Sequence, residues 1–499
     1  MDRYRFKADV EGYLGALRTH LYLFDLATKK IDTLTRGQYS ESSPAWSPDN
    51  NQIAFVSNRT ADPDRNENQD IWITDTSGGR PRQLTQWRGS DTQPVWSPDG
   101  QWIAYLQAST EDSFSIYNQS LLALIPAKGG TPRILSEKID RPVTNARWTG
   151  DSKNIAVLVT DDLHQYPAAF SIADGSMKKL ASCECSYTQL EYHPGGGWAA
   201  ILSSPQQPSE IYAAGQGEIR RLTRHTDDYT STLQLAEVKP FQSTSSDGTK
   251  VSGLLYTPPG VAARPVPLIL YIHGGPSMQD DLGFDMERQT IAAAGFAVAA
   301  VNYRGSNGRG ASYCNTIRAD WGNKEVKDIL GAADYLVSTG IADSTKMGIM
   351  GWSYGGILTD YTIASTTRFR AASSGAGSAL QLSMYGVDQY VSQYDNELGS
   401  PWANPDKWIA LSYPFFKADR IRTPTLFMAS QSDFNVPSAG AEQMYQALRT
   451  LRIPTQLVIY PGQFHEITVP SYQVDRLQRW IAWFGKYLSG DAAKALSDR

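Results

Sequence analysis

Two patterns of apolar positions divide this chain. Up to about residue 235 the apolar residues come in short alternating runs broken by Pro, Asp, Asn and Gly, the pattern of strands joined through tight turns. Ser43-Pro44-Ala45-Trp46-Ser47-Pro48-Asp49-Asn50, followed by Ile53-Ala54-Phe55-Val56, returns as Gln93-Pro94-Val95-Trp96-Ser97-Pro98-Asp99-Gly100, followed by Ile103-Ala104-Tyr105. Weaker copies are Ala146-Arg147-Trp148-Thr149-Gly150-Asp151 and Glu191-Tyr192-His193-Pro194-Gly195-Gly196. The anchor aromatics Trp46, Trp96, Trp148 and Tyr192 stand 50, 52 and 44 residues apart. Each copy predicts a hairpin, and a second hairpin follows, as from Asp70–Asp75 through Gly78-Gly79 to Arg82–Thr85. Four strands per unit at this period is the arithmetic of a β-propeller blade. Ahead of the first full unit, His20–Asp25 and Lys30–Thr35 read as the second half of another, giving four blades and a half.

Beyond that point the apolar runs become continuous: Pro267–Ile272, Phe296–Val301, Lys346–Met350, Thr425–Ala429 and Thr455–Tyr460, separated by helix-like segments. Such alternation predicts a mostly parallel sheet covered on both faces. Val474, Leu477, Ile481, Phe484 and Leu488 fall on one helical face and predict a closing helix packed on that sheet. The chain is therefore expected to be multidomain, with β-propeller repeats over 1–235 and a doubly covered α/β domain over 236–499.

Composition narrows the choice of partner. The chain carries 46 Lys and Arg against 51 Asp and Glu, a formal net charge of −5, with no basic stripe, so nothing marks a phosphate backbone as its partner. The longest nearly apolar stretch, Ile291–Val301, is too short to span a bilayer. The start, Met1-Asp2-Arg3-Tyr4-Arg5-Phe6, lacks the basic-then-apolar pattern of a secretory leader, and cytoplasm is the expected compartment. Cys183-Glu184-Cys185 has no second Cys or His pair at ligand spacing; ordinary thiols are expected there, and neither a metal nor a cofactor is called for.

The candidate chemistry lies at the end of the Lys346–Met350 run. Gly351-Trp352-Ser353-Tyr354-Gly355-Gly356 places small residues on both sides of a serine at a strand-to-helix junction, as a nucleophile elbow requires. In this fold the acid and then the histidine follow the serine, and only His465 of the six histidines lies after Ser353. The acid must then be one of Asp360, Asp388, Asp395, Asp406, Asp419, Asp433, Glu397 and Glu442. Asp433 is preferred because Ser430–Pro437 leaves the C-terminal end of an apolar strand, where α/β sheets gather functional groups. The expected oxyanion donors are the backbone N–H of Tyr354, next after the serine, and one from the glycine-bearing loop Tyr271-Ile272-His273-Gly274-Gly275-Pro276. His273 precedes the serine and is read as loop scaffold.

Taken together, these motifs resemble the prolyl oligopeptidase family of serine peptidases, most closely its acylaminoacyl-peptidase branch. The likeness rests on the Trp-Ser-Pro-Asp blades, His-Gly-Gly-Pro at 273–276, Asn302-Tyr303-Arg304-Gly305-Ser306, Asp320-Trp321-Gly322, the elbow, Gly399-Ser400-Pro401-Trp402, Asp433 with Val436-Pro437, and Tyr460-Pro461-Gly462 with His465. It implies that 236–499 is an α/β-hydrolase catalytic domain, with Ser353, Asp433 and His465 as the triad and the amides of Tyr354 and Gly275 as the oxyanion hole. It further implies substrate contacts from Asn435 and Tyr394, and a propeller that admits short peptides or acyl-peptides to the active site. Homo-oligomerisation is left open. Relatives carry about seven or eight blades, so the four and a half here imply either a short member that closes as five blades by pairing its N-terminal hairpin with a later one or a fragment lacking the first blades. An esterase or amidase acting on small non-peptide substrates would use the same triad. A catalytically inactive propeller scaffold is the remaining reading, and the intact serine, acid, histidine and glycine loop argue against it.

Overall fold

In the computed structural model, residues 3–110, 116–193, 195–215, 218–261 and 265–489 are described; Pro194 of the fourth repeat lies outside them. The repeats fold as four four-stranded blades. The first runs Glu41–Trp46, Gln52–Ser57, Asp70–Asp75 and Arg82–Gln83, the second from Asp91 to Ile134, the third from Val143 to Lys179 and the fourth from Ser186 to Arg221. A lone hairpin, Tyr22–Phe24 with Ile31–Thr33, precedes them.

Hydrogen bonding explains why the repeat is written in these residues. Ser47 Oγ donates to Asp49 Oδ1 at 2.6 Å and accepts from the Gln52 N–H at 2.9 Å, while the same Asp49 oxygen accepts from Asn51 N–H at 3.1 Å. Ser97 with Asp99 and Thr149 with Asp151 repeat the arrangement at 2.5 and 2.6 Å, so a hydroxyl and a carboxylate two residues apart close each tight turn. The tryptophan links consecutive blades. Trp96 Nε1 donates to the Ala45 carbonyl at 3.1 Å and Trp148 Nε1 to the Val95 carbonyl at 3.0 Å. Trp46 has no full blade before it and is 51% exposed.

Closure through the N-terminal hairpin is not formed among the described residues. Tyr22–Phe24 pairs with Ile31–Thr33 alone, and the last strand of the fourth blade, Ile219–Arg221, pairs only with Gln207–Ala214. Tyr22 and Ile31 on one edge and Ile211 and Ile219 on the other remain exposed.

The second domain is one eight-stranded sheet. Its strands are β1 (Glu237–Thr244), β2 (Lys250–Thr257), β3 (Val266–Ile272), β4 (Ala297–Asn302), β5 (Ala342–Trp352), β6 (Ala371–Gly375), β7 (Thr425–Ser430) and β8 (Thr455–Tyr460). They lie in the order β1-β2-β4-β3-β5-β6-β7-β8, antiparallel only in the β1–β2 and β2–β4 pairs. Both faces are buried, which accounts for the continuous apolar runs: every residue of β4 and β7 is inaccessible to solvent. Helices α1 (Lys324–Ser338), α2 (Tyr354–Ser365), α3 (Val391–Glu397), α4 (Ala439–Thr450) and α5 (Pro470–Phe484) connect and cover the strands.

Two expectations are corrected. On α5 the buried residues are Trp480, Trp483 and Phe484, whereas Val474 is 53% exposed; the large indoles take the sheet-facing positions, and Trp480 Nε1 donates to Ser373 Oγ at 2.9 Å beneath them. Cys183 and Cys185, expected as ordinary thiols, are joined as a disulfide with their Cα atoms 5.2 Å apart, and Cys314 is the free, buried cysteine. Among the described residues no cluster of His, Cys, Asp and Glu could hold a metal ion, and no helix is long and apolar enough to cross a membrane.

Candidate active site

Strand β5 delivers Ser353 into a turn of unusual backbone. Its φ of 61° and ψ of −128° lie outside the comfortable regions for a residue with a side chain, and Ser353 N–H is held by the Gly375 carbonyl at 3.0 Å. The flanking glycines are demanded by close packing. A Cβ on Gly351 would fall 2.5 Å from the Gly355 backbone, and one on Gly355 would fall 2.1 Å from the Ile272 carbonyl oxygen. Ser353 is also the N-cap of α2, so the free amides and positive dipole end of a 12-residue helix face the space beside its hydroxyl.

Asp433 and His465 come together over the ends of β7 and β8. His465 Nδ1 lies 2.8 Å from Asp433 Oδ2, while Asp433 Oδ1 accepts from the backbone N–H groups of Asn435 at 2.8 Å and Val436 at 2.7 Å. Both side chains are nearly closed off from water. Burial alone would disfavour the imidazolium, but the hydrogen bond and charge of Asp433, helped by Glu466 and Asp9, hold the His465 pKa above its ordinary value. The histidine loop is tied to the elbow as well. Trp352 Nε1, on the residue before the serine, donates to the His465 carbonyl at 3.1 Å.

Gly275 and Tyr354 both line the pocket that opens beside Ser353. Gly275 has a φ of 119°, and a Cβ on its neighbour Gly274 would press on Ser353 Cβ at 3.2 Å, so the glycines let this loop lie against the serine. His273 does not reach the pocket: its Nε2 bonds Ser306 Oγ at 2.9 Å, its ring stacks on Tyr303 at 4.4 Å, and burial lowers its pKa. Beneath Tyr354, whose hydroxyl donates to Glu325 Oε1 at 2.8 Å, burial raises that carboxyl to about 7.

The remaining predicted residues fall on the opposite wall. Asn435 Oδ1 accepts from Tyr390 OH at 2.5 Å, and Tyr394 is buried with its hydroxyl on Asp388 and its ring against Trp408 at 5.2 Å. Ile116, Trp321, Ile357, Met384 and Val436 complete a largely apolar lining. Sequence reasoning singled out none of Ile116, Ile357 and Met384, and of these Ile116 comes from the propeller. It belongs to the loop between the second and third strands of the second blade, where Tyr117 OH donates to Glu397 Oε1 at 2.9 Å and seats the propeller on α3. The one hint is the length of that connection. Asp388 was among the acids considered for the triad; the structure places it on this wall instead, where burial raises it to about 7.

Comparison with known proteins agrees with this architecture. Residues 282–491 match the model of the prolyl oligopeptidase family, and residues 14–186 match that of the TolB β-propeller domain. The uncharacterized peptidase YuxL of Bacillus subtilis is 29% identical over 97% of this chain and 76% of its own length. Dipeptidyl aminopeptidase BIII of Pseudoxanthomonas mexicana is 31% identical over 42% of this chain, and that match spans only 32% of the relative. Acylaminoacyl peptidase of Pyrococcus horikoshii superposes on 98% of this chain and 77% of its own with a TM-score of 0.85 at 20% identity, a likeness of fold. A family match over 282–491, a propeller match over 14–186 and a relative aligned over nearly the whole length lead to one assignment: residues 282–491 form a catalytic domain of the prolyl oligopeptidase family of serine peptidases, preceded by a TolB-like β-propeller.

Proposed function

We propose that this enzyme hydrolyses short peptides through an acyl-enzyme formed on Ser353, with His465 as base and Asp433 as its orienting acid. The observation that carries the reading is the 2.8 Å contact between His465 Nδ1 and Asp433 Oδ2, with the His465 carbonyl held by Trp352, the neighbour of an elbow serine at φ 61°. With Nδ1 engaged, Nε2 is the ring nitrogen that takes the Ser353 hydroxyl proton as Oγ bonds to the substrate carbonyl carbon. The carbonyl oxygen becomes an oxyanion and accepts from the N–H groups of Tyr354 and Gly275. His465 then passes its proton to the departing amine, and water repeats the sequence to release the acid and restore Ser353. Asn435 faces the peptide from the other wall.

The apolar lining from Ile116, Trp321, Met384, Tyr394 and Val436 favours an apolar side chain on the residue whose carbonyl is attacked. Because Ile116 comes from the propeller, the pocket is complete only with the two domains together. A set of acyl-, aminoacyl- and dipeptidyl-chromogenic substrates varying that residue tests the proposal: Phe, Leu or Met derivatives are expected to be cleaved with the highest kcat/KM. Equal rates with Asp or Lys derivatives, or cleavage of simple esters without cleavage of any peptide amide, would replace it with a small-molecule esterase.

A further inference from the structure

The strongest unassigned contact to the catalytic loops comes from the far end of the chain. Near its N-terminus a short hairpin, Lys7–Ala8 with Gly12–Tyr13, reaches out of the propeller region and lies against the loops that carry the acid and the histidine. At its turn, Asp9 Oδ1 accepts from Phe434 N–H at 3.0 Å and Asp9 Oδ2 accepts from His465 N–H at 3.0 Å. One carboxylate therefore joins the residue after Asp433 to the backbone of His465, across sequence separations of 425 and 456 residues.

The turn is itself held in place. Asp9 N–H donates to Gln389 Oε1 at 2.7 Å, and Gln389 N–H donates to the Phe434 carbonyl at 2.9 Å, which closes a small ring of hydrogen bonds. Lys7 Nζ donates to the Val387 carbonyl at 2.7 Å, and Tyr13 meets the Phe434 ring edge-on at 5.3 Å. On the other side, Arg3 pairs with Asp64 and Arg5 with Glu67 of the first blade at 2.6 and 2.5 Å. The segment is thus a strap from blade to catalytic loops, and its last link is a charge-assisted pair of hydrogen bonds.

We propose that Asp9 is a positioning residue for catalysis, its carboxylate clipping the acid loop to the histidine loop so that His465 and Asp433 stay in register. Asp9 touches no reacting atom and acts through the two amides. Its charge also bears on the imidazole, which is faced by Asp433 from the β7 loop, Glu466 from its own loop and Asp9 from the strap; Asp388, which interacts with both Asp433 and Lys7, is a further charged group beside the acid loop.

The inference rests on the triad reading above, so Ser353→Ala is measured first: turnover that survives in that variant removes the triad itself. With Ser353→Ala inactive, Asp9→Asn and Asp9→Ala are compared with wild type for kcat, KM and the pH dependence of kcat/KM. Loss of register is expected to lower kcat by roughly 10–100-fold with KM within about threefold. Loss of the negative charge is expected to move the acid limb of the profile to lower pH in both variants. Asp9→Asn keeps the side chain's shape and one acceptor, so it folds if Asp9→Ala does not and then decides the question alone. Near-wild-type kcat in a folded variant overturns the proposal. So does a lower kcat with the acid limb unmoved, because that is what a purely structural strap would give.

Discussion

Trp352 Nε1 donates to the backbone carbonyl of His465 at 3.1 Å, so the residue beside the proposed nucleophile fixes the loop that carries the proposed base. Trp352 ends β5 and His465 lies in the loop after β8, 113 residues on, and the proposed proton transfer between Ser353 and His465 depends on their separation. Trp352→Phe keeps an aromatic ring against the Arg476 guanidinium, which sits 5.1 Å from it, and removes only the donor. A net loss of about 1 kcal/mol of loop positioning corresponds to a roughly fivefold fall in kcat/KM. Steady-state kinetics on a chromogenic peptide reads it directly, and an unchanged value would mean the indole N–H holds nothing that matters to turnover.

The direction of the His465 shift sets the pH behaviour. In the proposed mechanism the neutral imidazole is the base, and neighbouring carboxylates stabilise the charged form, so activity is expected to fall as pH drops through a pKa that lies above the ordinary histidine value. Glu466 contributes to that shift from an exposed position. In Glu466→Gln the acid limb of kcat/KM moves to lower pH while the plateau is kept, and added salt shrinks the difference between the two enzymes. A limb that moves to higher pH would contradict the assignment of His465 as the group that titrates.

In the propeller, side-chain hydrogen bonds close the repeated turns. Ser97 is fully buried; its hydroxyl donates to Asp99 Oδ1 at 2.5 Å and accepts from Trp102 N–H at 3.0 Å. Ser97→Ala strands a buried N–H and is expected to destabilise the second blade by about 1–3 kcal/mol. Denaturant unfolding followed by tryptophan fluorescence measures this. Loss below a few tenths of a kcal/mol would mean that the repeated serine is not what closes the turn.

What could be read from the sequence follows the range of the interactions involved. The blade turns were legible because Ser47, Asp49 and Gln52 satisfy one another within six residues, and the same atoms recur at Ser97 and Thr149. The elbow was legible because Gly351 and Gly355 are required by backbone contacts made within the motif and against β3. The closing helix was legible from Phe484 and Leu488, both buried, but helical periodicity also ranks Val474 with them, whereas Val474 is exposed and the sheet takes up the larger Trp480 and Trp483. Ile116 showed only in the length of its connection, and Asp9 gave no local sign at all. Each lies in a loop of the repeat half, and its meaning comes from residues hundreds of positions away, Glu397 beside Tyr117 and Phe434 with His465 around Asp9.

The central claim is that Ser353, activated by His465 and Asp433, is the nucleophile. Reaction with a fluorophosphonate, followed by peptide mass spectrometry, tests it most directly. The account predicts one adduct per chain, located on Ser353, absent in Ser353→Ala and formed orders of magnitude more slowly in His465→Ala. An adduct on another residue, or full labelling of Ser353→Ala, would contradict it.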